Sequence, residues 1–470
     1  HSPEIQQVNQ ANLVDAVELN WDFQGCSHVP RQIGLFPNAP LLWTSALAVY
    51  PINDEEGRVI TDLPLGEVFL PAGWDLGPGP RGPHCLWPWV GAGDNQIQAF
   101  NCLKIQPTWM EDNAARINHL RIGELAIAGT HNAGSWRFNT ELNSVQRDSF
   151  VLCQDRSIWA QLVHGIRYFD FRVAYYEFYS NEEDRCAPAH YAKARGPPSY
   201  SSWSTSTSLI VSLLAWMLFV LMTSSHCFLG RPRLPVPDGG GMARHLFPTY
   251  WLNHNLIRVR PLVPLLREIR TFLDSTKEVV FLDAHHFPVG FYSADGSPLR
   301  SVHAGLLELV QRELGPHLAL AGSFGTGPGT AGPTLQSLVD ADKRLLFSYV
   351  DNAIVAENNW LWPVLPHLWA NTNNPETLFG FLDQAIASSP APGARSPLHS
   401  AMAQTTPTVL DILFLRGSLR ESAELVNRNV TQRLKTRWRH NANIISSDFF
   451  LGNDVVDVSI VLNLERGGRL

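Results

Sequence analysis

Residues 165–173 read GIRYFDFRV, a short aromatic and apolar run in which the opposite charges of Asp170 and Arg172 stand two residues apart. Aromatic and β-branched residues favour a strand, and residues two apart on a strand project to the same face. Opposite charges inside an apolar strand are costly unless they are paired or functional. The pattern therefore indicates either a buried structural ion pair or a phosphate site, because the planar guanidinium of arginine matches phosphate oxygens and keeps its charge.

Similar apolar runs recur from about residue 118 onward and alternate with helical patterns. The predicted strands are Glu124–Gly129, Ile166–Val173, Trp251–His254, Val279–Ala284, Arg344–Val350 and Asn443–Phe449. Apolar residues at spacings of three and four predict helices over Arg258–Asp274 and Ser301–Leu314. This alternation is typical of βα units with a parallel sheet. We therefore predict an α/β fold, a (β/α) TIM-type barrel of irregular form.

Residues 1–115 differ from the rest of the chain in composition. They are rich in Pro, Gly and Trp, and their short apolar runs are separated by turn clusters, which predicts a small β-rich N-terminal domain. Cys85 and Cys102 lie near the two ends of its last aromatic stretch, so one disulfide is expected there if the protein is secreted. The barrel is then expected to occupy residues 116–470.

Residues 187–247 interrupt the predicted barrel with a segment unlike any βα unit. It contains a Ser/Thr-rich run, the apolar run Leu209–Met222, a Pro-rich run and three consecutive glycines. The apolar run is shorter than the roughly 20 residues that span a bilayer, which favours a buried or interfacial segment over a transmembrane helix. A structureless insertion of this length is rare inside a compact domain, so a gene-model artefact such as translated intron sequence is a further interpretation.

Polar side chains follow several predicted strands, at the end of a barrel where active sites lie. The candidates are His131 and Asn132 in IAGTHNAG (127–134), His254 in WLNHN (251–255) and Asp448 in ISSDF (445–449). Two histidines suit general acid and base chemistry near neutral pH, although His131 alone also fits a capping turn. His285 and His286 are adjacent on a strand and point to opposite faces, so we predict no metal site there.

Composition excludes several classes of protein. In 470 residues, 36 Lys+Arg against 43 Asp+Glu give a net charge of −7, and charged residues make up only 17%. A basic nucleic-acid binder and a charge-rich disordered protein are both excluded. The chain begins at His1 without a leader, which suggests a processed or truncated form, and the sequon Asn429-Val430-Thr431 permits glycosylation in a secretory compartment.

Four motifs together resemble the X region of phosphatidylinositol-specific phospholipase C, and they occur in the order of that family. They are GTHNAG at 129–134, QLVHGIRYFDFRV at 161–173, WLNHN at 251–255 and KEVVFLDAHHF at 277–287. More narrowly, the chain resembles the X-domain-containing phospholipase C-like proteins of animals, the secreted arthropod kind in particular. The resemblance covers residues 118–186 and 248 to about 460, and more loosely the region before them. The segment 187–247 has no counterpart in the family.

The resemblance implies cleavage of an inositol phospholipid by attack of the inositol 2-hydroxyl on phosphorus. His131 matches the general base of the family and His254 its general acid. Arg172 falls where bacterial members carry an arginine, and Asp170 accompanies it. Asp448 matches the carboxylate that orients the base histidine.

One departure from the bacterial pattern bears on metal dependence. Asn132 stands where bacterial members have aspartate, and in the calcium-dependent branch an asparagine there is a metal ligand, with Asp170 as the expected second ligand. Arg172 would repel a cation close by. The resemblance therefore favours catalysis without a cofactor, with Asn132 and Arg172 contacting substrate, and leaves calcium as the alternative.

The leading hypothesis is a phosphoric diester hydrolase or lyase that acts on an inositol phospholipid or a GPI-like phosphodiester at a membrane surface. The alternative from another class is a catalytically silent barrel that binds phosphoinositide or lipid. A metal-dependent phosphodiesterase of another barrel family is disfavoured, because clustered Glu/Asp ligands are not found at the strand ends. We expect a secreted or membrane-associated protein and infer neither nucleic acid nor an obligate protein as its partner.

Overall fold

The computed structural model describes residues 4–10, 13–66, 81–136, 149–177, 249–323, 332–390 and 398–468. The predicted insert at 187–247, with its apolar run Leu209–Met222, lies outside the described residues. Within the described ranges, no helix combines the length and the apolar character needed to cross a bilayer.

Two antiparallel sheets form the N-terminal region, as its turn-rich composition predicts. The strands are β1 Glu4–Gln10, β2 Leu13–Asp22, β3 Gln32–Phe36, β4 Ala48–Pro51, β5 Glu56–Pro64, β6 His84–Gly93 and β7 Ile97–Ile105. One sheet has the order β1-β2-β5 and the other β4-β3-β6-β7. A disulfide joins Cys85 on β6 to Cys102 on β7, with their Cα atoms 5.5 Å apart, so the predicted disulfide is confirmed. The domain boundary at residue 115 stays a prediction.

Within the described part of the chain, seven parallel strands build the barrel. They are β8 Ile127–Thr130, β9 Tyr168–Tyr176, β12 Val280–His286, β13 Leu345–Tyr349, β14 His367–Leu368, β15 Ser400–Met402 and β16 Ile444–Ser447. Pairing runs from β14 through β15, β16, β8, β9 and β12 to β13, and no pairing of β13 with β14 joins the two edges within the described residues. The predicted barrel of irregular form is confirmed.

Helices pack outside these strands. They are α1 Trp109–Asp112, α2 Ala114–Ile117, α3 Ile158–His164, α4 Leu262–Ser275, α5 Arg300–Leu314, α6 Leu335–Asp340, α7 Asn352–Glu357, α8 Pro375–Ser388, α9 Val409–Leu413, α10 Leu419–Lys435 and α11 Val455–Gly467. Helix α4 buries Leu262, Leu265, Leu266, Ile269 and Leu273, the stripe that the spacing predicts. Its predicted start at Arg258 was wrong, because residues 257–261 form a strand, β11 Ile257–Pro261.

The predicted strand at Trp251–His254 joins the barrel sheet but does not run parallel to its strands. It is β10 Thr249–His254, which runs antiparallel to the second half of β9 and pairs on its other edge with β11. The reason is the length of β9. Its first residues pair with the barrel strands β8 and β12, and its remaining backbone groups from Val173 to Tyr176 pair with β10 instead. Tyr176 and Thr249 are directly opposite each other in this pairing.

Candidate active site

Three barrel strands bring five of the six predicted site residues to one end of the sheet. His131 and Asn132 follow β8, Asp170 and Arg172 lie on β9, and Asp448 follows β16. Because β8, β9 and β16 are parallel neighbours, their carboxyl ends meet at a common mouth.

The imidazole of His131 is held from both sides. Its Nδ1 lies 2.7 Å from Asp448 Oδ1, and its Nε2 lies 2.5 Å from Nη2 of Arg172. Because the carboxylate is an acceptor and the guanidinium is a donor, the network assigns the proton to Nδ1, which donates to Asp448. Nε2 then carries a lone pair that accepts from Arg172. A base needs this tautomer, because the nitrogen that carries the lone pair, Nε2, then lies towards the mouth.

Buried amides fix the loops that carry this pair. The Gln154 side-chain Nε2 donates to the carbonyls of His131 and Ser447, each at 2.9 Å. The His131 backbone N–H donates to Ser447 O at 3.0 Å, and Asn427 Nδ2 donates to Asp448 O at 3.0 Å. Gln154 and Asn427 are both buried, so their amides can saturate these carbonyls without competition from water. The orientation of His131 is therefore built into the packing.

Asp170 is the electrostatic partner of Arg172. Its Oδ2 accepts from the Asn132 backbone N–H at 2.9 Å and lies 3.6 Å from Arg172 Nη2, while His285 Nδ1 lies 2.6 Å from its Oδ1. Burial disfavours the charged carboxylate, but His285 and Arg172 outweigh it and hold the pKa of Asp170 well below its usual range. Asp170 is thus a fixed anion, and the charged pair that its spacing predicts is present.

Asn132 adopts a left-handed backbone conformation, with φ of 43°. Asparagine tolerates this region better than most residues with a side chain, which explains why the turn after β8 accepts it. The conformation lets its backbone N–H reach Asp170, and its side chain is buried beside the Cys153 thiol. Its predicted contact with substrate stays a prediction.

His254 ends β10 and approaches the mouth from the antiparallel side. Burial, followed by the positive charge of Arg172, lowers the pKa of His254 to about 3. The imidazole is therefore neutral at pH 7 in the free protein. An anion that neutralised Arg172 would raise this pKa, because it would remove the repulsion felt by the imidazolium.

The prediction missed a second polar network on the adjoining strands. Asp283 Oδ2 accepts from Tyr168 Oη at 2.7 Å and His367 Nε2 at 2.8 Å, and its Oδ1 accepts from Ser348 Oγ at 2.6 Å. Asp283 and His285 stand two apart on β12, and this same-face pattern was available in the sequence. His367 lies in a strand of two residues, which is too short to produce a pattern.

The two adjacent histidines of β12 contact different residues, so they do not form one metal site together. His285 contacts Asp170, whereas His286 is the register partner of Arg172, and burial and that charge lower the pKa of His286 to about 4. Among the described residues, two groups of three side chains have potential metal-ligand atoms within 4.8 Å of one another. One group is Asp283, His285 and His367, and the other is His131, Cys153 and Asp448.

Comparisons with known proteins point to one family. No family model matches the chain. PI-PLC X domain-containing protein 2 of Mus musculus is 32% identical over 207 residues, which are 42% of this chain and 55% of that protein. PI-PLC X domain-containing protein 3 of Homo sapiens is 28% identical over 204 residues, 42% of this chain and 58% of that protein. The chain thus matches between half and two thirds of the length of these relatives. The predicted resemblance is confirmed, while its narrower form, to secreted arthropod members, stays a prediction.

Solved structures give a looser correspondence. The phosphatidylinositol-specific phospholipase C of Listeria monocytogenes aligns with a TM-score of 0.44 and 15% identity, over 77% of this chain and 98% of that chain. A mutant of the phosphatidylinositol-specific phospholipase C of Staphylococcus aureus aligns with a TM-score of 0.44 and 10% identity, over 76% and 96%.

Proposed function

We propose that this chain, which is similar to the PI-PLC X domain-containing proteins, is a phosphodiesterase that cleaves an inositol phospholipid or a GPI-like phosphodiester. The observation that carries the proposal is the placement of His131. Its Nδ1 is anchored by Asp448 at 2.7 Å, and its Nε2 faces the guanidinium of Arg172. A base whose free nitrogen lies beside a cation is the arrangement needed to activate a hydroxyl next to a bound phosphate.

In the proposed reaction the phosphate anion takes Arg172 away from His131 and frees Nε2. Nε2 then removes the proton of the inositol 2-hydroxyl, and that oxygen forms a bond to phosphorus. The bond from phosphorus to the glycerol oxygen breaks, and His254 supplies the proton that this oxygen takes up. Asp448 stabilises the imidazolium formed at His131, and Arg172 stabilises the charge that develops on phosphorus. The products are a cyclic inositol phosphate and diacylglycerol.

Asp170 is proposed as the residue that positions Arg172. Its carboxylate lies 3.6 Å from Nη2 and is buried on a barrel strand. The pair also supports the proposal of metal-independent catalysis. A calcium ion ligated by Asn132 and Asp170 would lie beside the Arg172 charge, and Asp170 already faces His285 at 2.6 Å.

Two features of the free protein favour the second candidate function, a silent lipid-binding barrel. Arg172 occupies the lone pair of His131, and the pKa of about 3 leaves His254 without a proton to give at pH 7. If phosphate binding did not reverse both, the mouth would hold a phosphorylated headgroup without cleaving it. Turnover separates the two candidates.

The deciding experiment is a phosphorus NMR time course of the full chain with phosphatidylinositol in detergent, run once with calcium and once with a chelator. We expect the cyclic inositol phosphate signal to grow at a similar rate in both samples, because in the proposed reaction Arg172 supplies the positive charge at the mouth. A signal that requires calcium would overturn metal independence. Headgroup binding with no new phosphorus species in either sample would favour the silent barrel.

An exposed apolar surface at the barrel mouth supports action on a membrane. We define the rim patch as Trp369, Leu410, Phe414 and Leu415, which are 48%, 53%, 59% and 43% exposed. Trp369 follows β14, and the other three lie on or directly after α9, in the connection after β15. Both segments leave the carboxyl ends of parallel strands, the same end as His131. The Trp369 Nε1–H donates to Thr406 Oγ1 at 3.1 Å and ties the two segments together.

We expect Phe414→Ser to weaken binding to phosphatidylinositol-containing vesicles by about tenfold, because one aromatic side chain contributes roughly 1.5–3 kcal/mol when it leaves water. The measurement is co-sedimentation with vesicles at fixed salt concentration. Phe100→Ser is the matched control, since Phe100 is 60% exposed but lies on β7 of the N-terminal sheet. Equal losses in the two variants would contradict the assignment of the rim patch.

A further inference from the structure

The thiol of Cys153 lies beside the anchored histidine, and the proposed reaction does not use it. The Sγ atom, a ring nitrogen of His131 and a carboxylate oxygen of Asp448 all lie within 4.8 Å of one another. Cys153 is fully buried, while His131 and Asp448 retain 7% and 3% exposure. The three side chains therefore form a compact nitrogen, sulfur and oxygen cluster beneath the mouth.

Backbone hydrogen bonds tie together the three segments that carry the cluster. The Cys153 N–H donates to Ser135 O at 2.9 Å, in the turn after His131. The Phe449 N–H, directly after Asp448, donates to Cys153 O at 2.8 Å. The His131 N–H donates to Ser447 O at 3.0 Å. The ligand atoms are thus brought together by the fold and do not depend on chance rotamers of exposed side chains.

The hydrogen bond from the thiol to the backbone is weak. Its sulfur lies 3.9 Å from Val151 O, and burial together with the Asp448 charge raises the pKa of Cys153 well above its usual range. The sulfur is therefore a protonated, buried thiol in the free protein, which is inert as a nucleophile. A metal ion would change this state, because a coordinated thiol loses its proton.

We propose that His131, Cys153 and Asp448 form an inhibitory site for a thiophilic divalent cation such as Zn²⁺. Zinc takes cysteine sulfur, histidine nitrogen and aspartate oxygen in tetrahedral sites, with a fourth position open to water. The thiolate and the carboxylate balance the two positive charges, and the thiol proton leaves to solvent. Calcium prefers oxygen ligands and is not expected to bind. That occupancy inhibits turnover rests on the proposed function, because the ion consumes the imidazole and the carboxylate of the base.

The other His/Asp group is less available to an ion. Asp283 already accepts hydrogen bonds from Tyr168, Ser348 and His367 at 2.6–2.8 Å. An ion bound there would have to break these three hydrogen bonds. The Cys153 cluster gives up two, the one between His131 and Asp448 and the one that His131 Nε2 accepts from Arg172. His367 therefore provides the variant that tells the two groups apart.

The test uses the full chain after chelator treatment, with Cd²⁺ as a spectroscopic probe for thiolate ligation and Zn²⁺ in competition. We expect an ultraviolet thiolate–metal band in the unmodified protein, in Cys26→Ser, whose thiol is exposed, and in His367→Ala. Cys153→Ser should lose the band that Zn²⁺ displaces and should raise the Zn²⁺ concentration for half-inhibition by at least about tenfold, relative to its own metal-free rate. Affinity should rise about tenfold per pH unit if one thiol proton is released.

Persistence of the band in Cys153→Ser, or its loss in His367→Ala alone, would overturn the site. Cys153→Ala and thermal unfolding of each variant exclude a folding defect as the cause of a lost signal. The band does not require turnover. A chain that binds Cd²⁺ through Cys153 but releases no cyclic phosphate would keep the metal site and refute the proposed function, whereas turnover insensitive to Zn²⁺ would refute inhibition.

Discussion

Replacing His131 with alanine is expected to lower the turnover of phosphatidylinositol by about 10³–10⁴-fold while the barrel remains folded. The variant removes the nitrogen that takes the proton of the attacking hydroxyl. It also leaves Asp448 as a buried carboxylate without its 2.7 Å partner. We therefore expect a loss of stability of about 1–3 kcal/mol at neutral pH, the cost of an unsatisfied buried group. Release of phosphorylated headgroup gives the rate, and denaturant unfolding gives the stability.

Two further variants make this result interpretable. His119→Ala removes an exposed histidine, so it should change neither turnover nor stability. Asp448→Asn keeps the size of the side chain but removes the charge that stabilises the imidazolium, and it should lower turnover in the same direction as His131→Ala. A residual rate within tenfold of the unmodified protein in His131→Ala would contradict the assignment of His131 as the base.

The second large effect is expected at His254 and should depend on the leaving group. His254→Ala removes the proposed acid, so cleavage of phosphatidylinositol, whose leaving alkoxide is a strong base, should slow by about 10²–10³-fold. An aryl inositol phosphodiester leaves as a weakly basic phenolate and should slow by about tenfold or less. Parallel assays of the two substrates measure the difference. Equal losses on both would place His254 in binding or packing and not in proton transfer.

The pKa of His254 provides a second test of its proposed role as the acid. The free-protein pKa of about 3 reflects burial and the Arg172 charge, so an anion bound to Arg172 should move this pKa upward. NMR titration of the His254 ring with and without inositol phosphate follows the change directly. An unmoved or lowered pKa would remove the proton that the proposed reaction needs and would favour the silent barrel.

The segment 165–173 shows what the sequence could predict about the site and what it could not. Spacing alone placed Asp170 and Arg172 on one face, and strand ends placed His131 and Asp448 at one mouth. The sequence could not assign partners. Arg167, in the same motif, is fully buried with Glu278, 2.7 Å away. Choosing which arginine is structural and which faces the mouth requires the packing of β12 against β9, a contact distant along the chain.

The sequence predicted the elements with long hydrophobic patterns and missed those with short ones. Helix α4 has a clear apolar stripe, whereas β14 and β15 span two and three residues and produce no periodicity. The direction of β10 was also beyond the sequence. The sequence of an apolar strand is similar whether the strand is parallel in a barrel or pairs antiparallel with the last residues of β9, because apolar side chains are buried in both cases.

The pairing of Tyr176 with Thr249 has a consequence for how the chain tolerates residues 177–248. The barrel meets this part of the polypeptide at two positions that are opposite each other on neighbouring strands, as at the base of a hairpin. A longer connection between fixed ends costs only about 0.6 kcal/mol in closure entropy for each doubling of its length. A chain that is shorter or longer between these two positions is therefore expected to form the same barrel.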